Sequence, residues 1–586
     1  LAYTPHARDG NTWKRYKGGW ASDIWLFNLK NQSSRRITDW EGTDSIPMWR
    51  GNTVYYLSDQ GDEHRLNIWA YDVDGQTRRQ VTAFREFDIK WPSIGPGGDA
   101  GEIVFQLGSE LRLLDLATEE SRVVNVQIPG DRPTIRPRMV DASEKILSSD
   151  ISPTGKRAVF SARGDIWTVP AEKGSPRNLT ATPGVAERDA SWSRDGRWIA
   201  YLSDTTGEYE LYVTQSDGKG ETRQLTDDGS TFRHEPVWSP NSDHIAFTDK
   251  TGRMFHHDIE AGTTTLIDTD PWGGRLTPNW ALDSRWIAYA KRPEGMRNSA
   301  IWIYSTDTGQ TTQVTSAAFN DFEPVFDRNG EYLFYGSTRD FGSFVRSDLD
   351  ADYLYADTEV LLVTPLRDDV GSPWAPESDE EPWEIDDADQ DDSAEDEAAI
   401  EETSDAAVDS VVEPIENELD GFERRAIRLP VERGWFYSLA VNHEGHLLYV
   451  RDPRAVVNRM PAIKIYDIHA DDEKEKTVLS GAGAFSISAD GEKLLVSKDG
   501  GYHIIDAAAD ASTDDTKLSL SPMQSDIDPR DEWAQVFHES WRIMRDYFYD
   551  PDMHGVDWVA VREAYEPMLA DCVSVRDVRY VIGEMY

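Results

Sequence analysis

Four segments of the chain repeat one short phrase: Trp192-Ser193-Arg194-Asp195-Gly196, Trp238-Ser239-Pro240-Asn241, Trp280-Ala281-Leu282-Asp283 and Phe326-Asp327-Arg328-Asn329-Gly330. Each leads within a few residues into an apolar run with β-branched and aromatic character: Ile199-Ala200-Tyr201-Leu202, Ile245-Ala246-Phe247, Ile287-Ala288-Tyr289 and Tyr332-Leu333-Phe334-Tyr335. From aromatic to aromatic the spacings are 46, 42 and 46 residues, the length of one four-stranded blade of a β-propeller. The fold class this predicts is mainly β. Blades set around an axis leave a central channel, and the same architecture serves many chemistries, so function has to be argued from particular residues.

The pattern continues on both sides. Ile151-Ser152-Pro153-Thr154-Gly155 precedes Ala158-Val159-Phe160, Asn442-His443-Glu444-Gly445 precedes Leu447-Leu448-Tyr449-Val450, and Ser488-Ala489-Asp490-Gly491 precedes Leu494-Leu495-Val496. Asp-Gly and Asn-Gly suit the tight turn between antiparallel strands because Gly takes φ > 0 without strain. A second phrase closes blades: Arg36-Ile37-Thr38, Gln80-Val81-Thr82, Asn178-Leu179-Thr180, Gln224-Leu225-Thr226 and Gln313-Val314-Thr315. The recurring aromatic and Thr positions are therefore read as packing and turn residues.

A chain of 586 residues exceeds a single core and predicts roughly three or more domains. Residues 14–520, without the acidic stretch discussed next, suffice for ~10–11 blades of ~40–45 residues. One ring rarely exceeds eight blades, so two propellers are predicted. Pro129, Pro133 and Pro137 interrupt the pattern and suit a connector. The expected division is 1–135 as the last blades of an incomplete propeller, 136–520 as a second propeller, and 521–586 as a helical segment.

The formal net charge of -47 is unevenly spread. Between Glu377 and Asp420 stand 21 acids and no Lys or Arg. So acid-dense and aromatic-poor a stretch cannot offset its ordering entropy, and 377–420 is expected to be a disordered insertion. The acidity argues against nucleic-acid binding, which needs clustered Lys and Arg. No apolar run approaches the ~18–20 residues of a membrane span. The sequence opens Leu1-Ala2-Tyr3-Thr4, with no initiator Met, basic n-region or apolar h-region. Cys572 is the single cysteine, so no intrachain disulfide can form; it reads as a small buried thiol in a helical segment.

The last 65 residues change character. Asp528-Pro529 with Asp531 and Glu532 is a helix start, and Trp533, Phe537, Trp541, Met544 and Phe548 form an apolar stripe on one helix face. A second helix is predicted from Asp557, with Trp558, Val561, Tyr565 and Leu569 inward. A third is predicted from the capping box Ser574-Val575-Arg576-Asp577, carrying Val578, Val581, Ile582 and Met585.

Candidate reactive groups are few. There is no Gly-x-Ser-x-Gly elbow and no His-Glu-x-x-His zinc motif. His538-Glu539-Ser540 holds suggestive residue types, but consecutive helix positions point about 100° apart, so no Ser-His relay forms there. His443, Glu444 and His446 lack a further nearby ligand for a metal, and His256-His257 reads as blade surface. No catalytic, cofactor-binding or metal-binding residue is assigned, and no cofactor is expected.

The helical phrases Asp531-Glu532-Trp533, Trp541-Arg542, Arg545-Asp546-Tyr547-Phe548-Tyr549-Asp550-Pro551 and Met553-His554-Gly555-Val556-Asp557-Trp558, following two propellers, resemble the tricorn protease family. Trp13-Lys14-Arg15-Tyr16-Lys17-Gly18-Gly19 is similar to a segment of that family's first propeller, and Asn320-Asp321-Phe322-Glu323-Pro324-Val325-Phe326 to a blade of its second. The resemblance covers nearly the whole chain. It implies a cytoplasmic serine peptidase that shortens oligopeptides such as proteasome products, with a six-bladed and a seven-bladed propeller acting as substrate and product channels. It also implies a hexameric homo-oligomer, downstream aminopeptidases as partners, and catalytic Ser and His residues beyond Tyr586, so that this chain alone is inert. Two other readings stay open: a non-enzymatic binding propeller of the TolB type, and the filter propeller of a prolyl-oligopeptidase-like hydrolase.

Overall fold

A computed structural model describes residues 1–6, 14–95, 101–341, 344–346, 353–355, 357–374, 414–452, 460–470 and 474–586. The chain divides into two compact units, residues 139–526 and residues 1–138 together with 527–586. The fold is mainly β, as the repeat predicts.

Among the described residues, seven antiparallel sheets of three or four strands follow one another in the 139–526 unit. Their innermost strands are Ile146–Ile151, Glu187–Trp192, Arg233–Trp238, Asn279–Trp280, Asp321–Phe326, Trp435–Val441 and Phe485–Ile487. In the first six blades three more strands follow outward, and the seventh sheet has three in all. The repeated aromatics Trp192, Trp238, Trp280 and Phe326 each end an innermost strand and are buried between blades. The blade-closing threonines have an equally specific role. The hydroxyls of Thr180, Thr226 and Thr315 accept the backbone N–H of Ile166, Leu211 and Ile301 at 2.9–3.0 Å, tying each short outer strand to the third strand of its blade.

Apolar clusters fill every gap between neighbouring sheets. Ala200, Leu202, Leu211 and Val213 of the second blade, for example, pack on Phe232, Trp238, Ile245 and Phe247 of the third. Each buried Leu, Ile, Val or Phe side chain among them contributes about 1.5–3 kcal/mol. The first and seventh blades close the ring without exchanging a strand. Ile151, Phe160 and Trp167 pack on Leu495, Ile504 and Leu518, the Asp490 N–H donates to the Pro153 carbonyl at 3.0 Å, and the Ser525 hydroxyl donates to Asp165 at 2.7 Å.

Burial on both faces of a blade corrects one expectation. His256 and His257 lie in the third strand of the third blade and are both buried, instead of forming blade surface. Adjoining blades cover opposite faces of that strand, so two successive residues are enclosed. His256 meets the Tyr304 hydroxyl at 3.3 Å and His257 the Thr264 hydroxyl at 3.0 Å.

The acidic stretch falls between the third strand, Val360–Pro365, and the fourth, Ile427–Arg428, of the fifth blade. Residues 377–413 lie outside those described. Residues 414–420, expected to be disordered with the rest, are docked on the ring. Ile415 is buried, its N–H donates to Asp283 at 2.8 Å, and its carbonyl accepts the Trp286 indole N–H at 3.0 Å. Ile415 and Leu419 are the apolar side chains that make docking favourable where the acids alone could not. Gly330 makes room, since a Cβ there would come within 2.6 Å of Ile415 Cγ1.

Among its described residues the other unit has three sheets of three or four strands, built from residues 2–36, 44–80 and 89–123, and three α-helices: α1 Pro529–Tyr547, α2 Trp558–Tyr565 and α3 Val575–Met585. Asp528 caps α1 by accepting the Arg530 N–H, and Asp557 caps α2 by accepting that of Ala560. At α3, Ser574 accepts from the Asp577 N–H, while the Asp577 carboxylate reaches one residue beyond the cap to the Val573 N–H at 3.0 Å. Trp533, Phe537, Trp541, Val578, Val581 and Met585 form the helical core, with Trp558, Val561, Tyr565 and Leu569 packed against it as their spacing predicts. Glu584 pairs with Lys90 at 2.5 Å, which joins α3 to the third sheet of the same unit.

Candidate functional site

The innermost strands of the seven-bladed ring surround its axis, and a cavity of about 320 Å³ opens among those of the first, second, third and seventh blades. Asp150, Asp189, Arg194 and Glu235 supply its charges. That volume lies at the lower end of the range in which small ligands are bound.

A recurrent irregularity shapes this surface. In four of the innermost strands the ladder register shifts at one residue with left-handed backbone: Asp189 at φ 56°, Glu235 at 36°, Glu323 at 48° and Ser438 at 55°. A bulge places two residues against one and re-aims the side chain between them. For a non-glycine residue φ > 0 is uncommon, so its recurrence at one strand position marks a built feature of the ring.

Side chains on these strands also stitch blade to blade. Asp150 accepts the Trp192 N–H at 2.9 Å, Asn279 that of Phe326 at 3.0 Å, and Glu323 that of Leu439 at 3.2 Å. Burial raises the Asp150 carboxyl above its ordinary range although the Trp192 N–H opposes the shift. Glu323 is raised for the same reason.

Arginines near the bulges are neutralised: Arg188 pairs with Asp189 at 2.7 Å, and Arg275 with Glu235. The turn at the other end of the innermost strands differs. Two residues past each strand end, the seven blades place Pro153, Arg194, Pro240, Leu282, Arg328, His443 and Ala489. Arg328 Nη2 donates to the Ala489 carbonyl at 2.7 Å, bypassing the sixth blade. Arg194 lines the cavity, and desolvation by the surrounding protein lowers its pKa although the Asp150 charge opposes the shift. Burial, and then the Arg194 charge, lower that of Arg328.

The suggestive residues of the sequence are not brought together. His538 Nε2 lies 3.2 Å from Glu566, Glu539 pairs with Arg542, and the Ser540 hydroxyl donates to the Val536 carbonyl. His446 sits between the carboxylates of Glu444 and Asp467 at 3.1 and 3.3 Å. No group of three or more His, Cys, Asp or Glu residues among the described residues could hold a metal ion. Cys572 is buried in the helical core, and burial pushes its thiol up to about 11, away from nucleophile chemistry at neutral pH. Arg194 and Arg328 were visible inside the repeated phrases, but a turn position is ordinarily solvated surface. Only closure of the ring turns it toward an axis.

Residues 146–508 match the Tricorn protease second beta propeller domain, residues 1–120 the Tricorn protease N-terminal beta propeller domain, and residues 529–586 the Tricorn protease C1 domain. The chain is 26% identical over 600 residues to Tricorn protease homolog 1 of Streptomyces coelicolor, covering 98% of this chain and 54% of that protein. It is 22% identical over 589 residues to the Tricorn protease homolog of Saccharolobus solfataricus, covering 99% and 50%. The crystal structure of the tricorn protease superposes with a TM-score of 0.76 at 18% identity, over 98% of this chain and 53% of that one. The chain thus spans about half the length of the curated relatives it matches. Among the described residues no helix is long and apolar enough to cross a membrane.

Proposed function

Since this chain belongs to the tricorn protease family, we propose that it is the substrate-handling part of a serine-type peptidase that shortens oligopeptides in the cytoplasm. The observation that carries the reading is the axial cavity of about 320 Å³ inside the seven-bladed ring, bordered by strand edges and charged side chains. A space of that size admits an extended peptide segment and excludes a folded domain. The serine nucleophile and its base lie, on this reading, in the half of the family's length that the chain does not span. Residues 1–135 are then blades of a six-bladed propeller, 136–520 a seven-bladed one carrying the acidic insertion 377–420, and 521–586 the start of the peptidase core. A hexameric homo-oligomer, with aminopeptidases taking the released peptides, completes the proposal.

The test is cleavage of fluorogenic peptides by the full-length gene product and by this 586-residue chain, each with and without a serine-reactive inhibitor. Inhibitor-sensitive cleavage by the former and none by the latter is expected. Cleavage of a folded protein as fast as of a short peptide would overturn the channel role. Absence of cleavage by the full-length product would overturn the peptidase reading.

A further inference from the structure

In the unit that holds the helices, two lysines from its sheets converge on the last turn of α3. Lys90, in the first strand of the third sheet, donates from Nζ to Glu584 Oε1 at 2.5 Å. Lys14, in the connection between the first two strands of the first sheet, donates from Nζ to the backbone carbonyl of the same Glu584. It also lies 3.5 Å from the hydroxyl of Tyr565, at the end of α2, and 5.5 Å from the centre of that ring. Gln106, one strand further into the third sheet, donates to the Tyr580 hydroxyl of α3 at 3.1 Å. The last carbonyls of a helix lack intrahelical donors and carry the negative end of its dipole, so ammonium groups there supply both a donor and the favourable charge.

The approach of Lys14 is built into the backbone. Arg15 beside it takes left-handed geometry at φ 56°, a conformation that persists in a non-glycine residue only where its surroundings over-determine it. Asp88 does so: it meets the Arg15 guanidinium at 3.0–3.2 Å and accepts the Leu66 N–H at 2.7 Å. Burial lowers the Lys14 pKa and the Glu584 charge opposes the shift, so the ammonium has exchanged much of its water for these partners. Gly108 lets the sheet approach the helices closely, since a Cβ there would come within 2.7 Å of Phe87 and 3.2 Å of Met568. Phe87 in turn stands edge-on to Tyr565 with ring centres 5.4 Å apart.

We propose that Lys14 and Lys90 are positioning residues for the peptidase: together they fix the last turn of α3 on the third sheet, so that the N-terminal blades set the geometry of the peptidase core. The inference rests on the reading of residues 521–586 as the start of that core. It goes beyond it by making the first propeller a support for the chemistry as well as a passage. Both lysines act through α3 and not on the peptide.

Peptide cleavage and amide hydrogen exchange, both in the full-length gene product, test this together. Lys14→Met and Lys90→Met keep the apolar stem and remove the ammonium. Each is expected to lower kcat about tenfold or more with KM within about twofold, because a small misplacement of reacting groups is costly while substrate binding is untouched. Lys90→Arg, which can still pair with Glu584, should keep most of the activity. Exchange at residues 582–586 should quicken in Lys14→Met while residues 533–541 stay protected. Lys17→Met is the control, since Lys17 pairs with Glu41 on the surface, and should change neither readout. Should a methionine variant not fold, Glu584→Gln takes its place, loosening the Lys90 pair and leaving the carbonyl to Lys14. Unchanged kcat, or a fall in kcat without faster exchange at 582–586, overturns the positioning role. Absence of cleavage by the unsubstituted product overturns the peptidase reading instead, and the exchange difference then still decides whether the lysines hold α3.

Discussion

Trp541 and Trp558 each donate the indole N–H to the other's backbone carbonyl, at 2.8 and 3.1 Å, across the pairing of α1 with the start of α2. The two bonds tie the late turns of one helix to the first turn of the next, where a carbonyl and a ring N–H would otherwise be sequestered from water. Replacing either residue by Phe keeps most of the apolar volume but removes one donor and disturbs the reciprocal geometry. Each single substitution should cost about 1–3 kcal/mol. The double substitution should cost less than the two together, because they act on one shared motif. Urea unfolding monitored by helical circular dichroism reads all four corners of the cycle, and strict additivity would show the two bonds to be independent.

Thr315 is the simplest of the blade-closing threonines. Its buried hydroxyl accepts the Ile301 N–H at 2.9 Å. Thr315→Val keeps the shape and leaves that N–H without its acceptor, so a loss of about 1–3 kcal/mol is expected. Thr315→Ser restores the oxygen and should recover most of it. A valine variant as stable as the parent in denaturant titration would mean that the N–H finds another partner.

What could be read in advance follows from how local each signal is. The blades announce themselves because turn chemistry and strand ends lie within a dozen residues, as in Trp192 through Leu202, and the helix caps at Asp528, Asp557 and Ser574 are equally local. His256 and His257 were misread because strand alternation presumes one wet face, while a blade inside a ring has none. Ile415 was hidden among acids, although its contacts with Asp283 and Trp286 come from more than 120 residues away. Arg194 and Arg328 sit 134 positions apart in equivalent turns, and nothing short of ring closure tells that one lines the cavity while the other reaches across to the seventh blade.

Ile415 offers a direct test of the docked end of the acidic stretch. Ile415→Ala removes buried methyl groups from a cluster that includes Ile301, Leu333 and Phe422, and should cost about 2–5 kcal/mol. Gly330→Ala should be unfavourable at the same place, because φ at 330 is 73° and the added Cβ would meet Ile415 at 2.6 Å. Combining the two ought to recover part of the glycine penalty, since the clashing side chain is gone. Thermal melts of the three variants decide it, with full additivity as the contrary result.

Glu187 and His256 give the seven-bladed unit two opposed pH dependences. Burial above all, and then the charges of Asp165 and Asp204, raise Glu187 from 4.5 to about 8, while one carboxyl oxygen accepts the Thr182 hydroxyl at 2.8 Å. The folded state therefore keeps a proton that the unfolded chain releases near pH 4.5, and unfolding between those values releases a proton. Stability from this group is complete below about pH 4.5 and falls as pH rises toward 8. His256 is lowered from 6.5 to about 4, chiefly by burial, so the unfolded chain takes up a proton that the folded state refuses. Its contribution is complete above about pH 6.5 and is lost as pH falls toward 4. Between pH 4.5 and 6.5 the two oppose each other, and above 6.5 the carboxyl acts without that opposition. Glu187→Gln should accordingly flatten the decline of melting temperature between pH 6.5 and 8 while leaving the acid limb in place. His256→Gln should do the reverse. An unchanged slope from pH 6.5 to 8 in Glu187→Gln would mean that the buried carboxyl is already ionised at neutral pH.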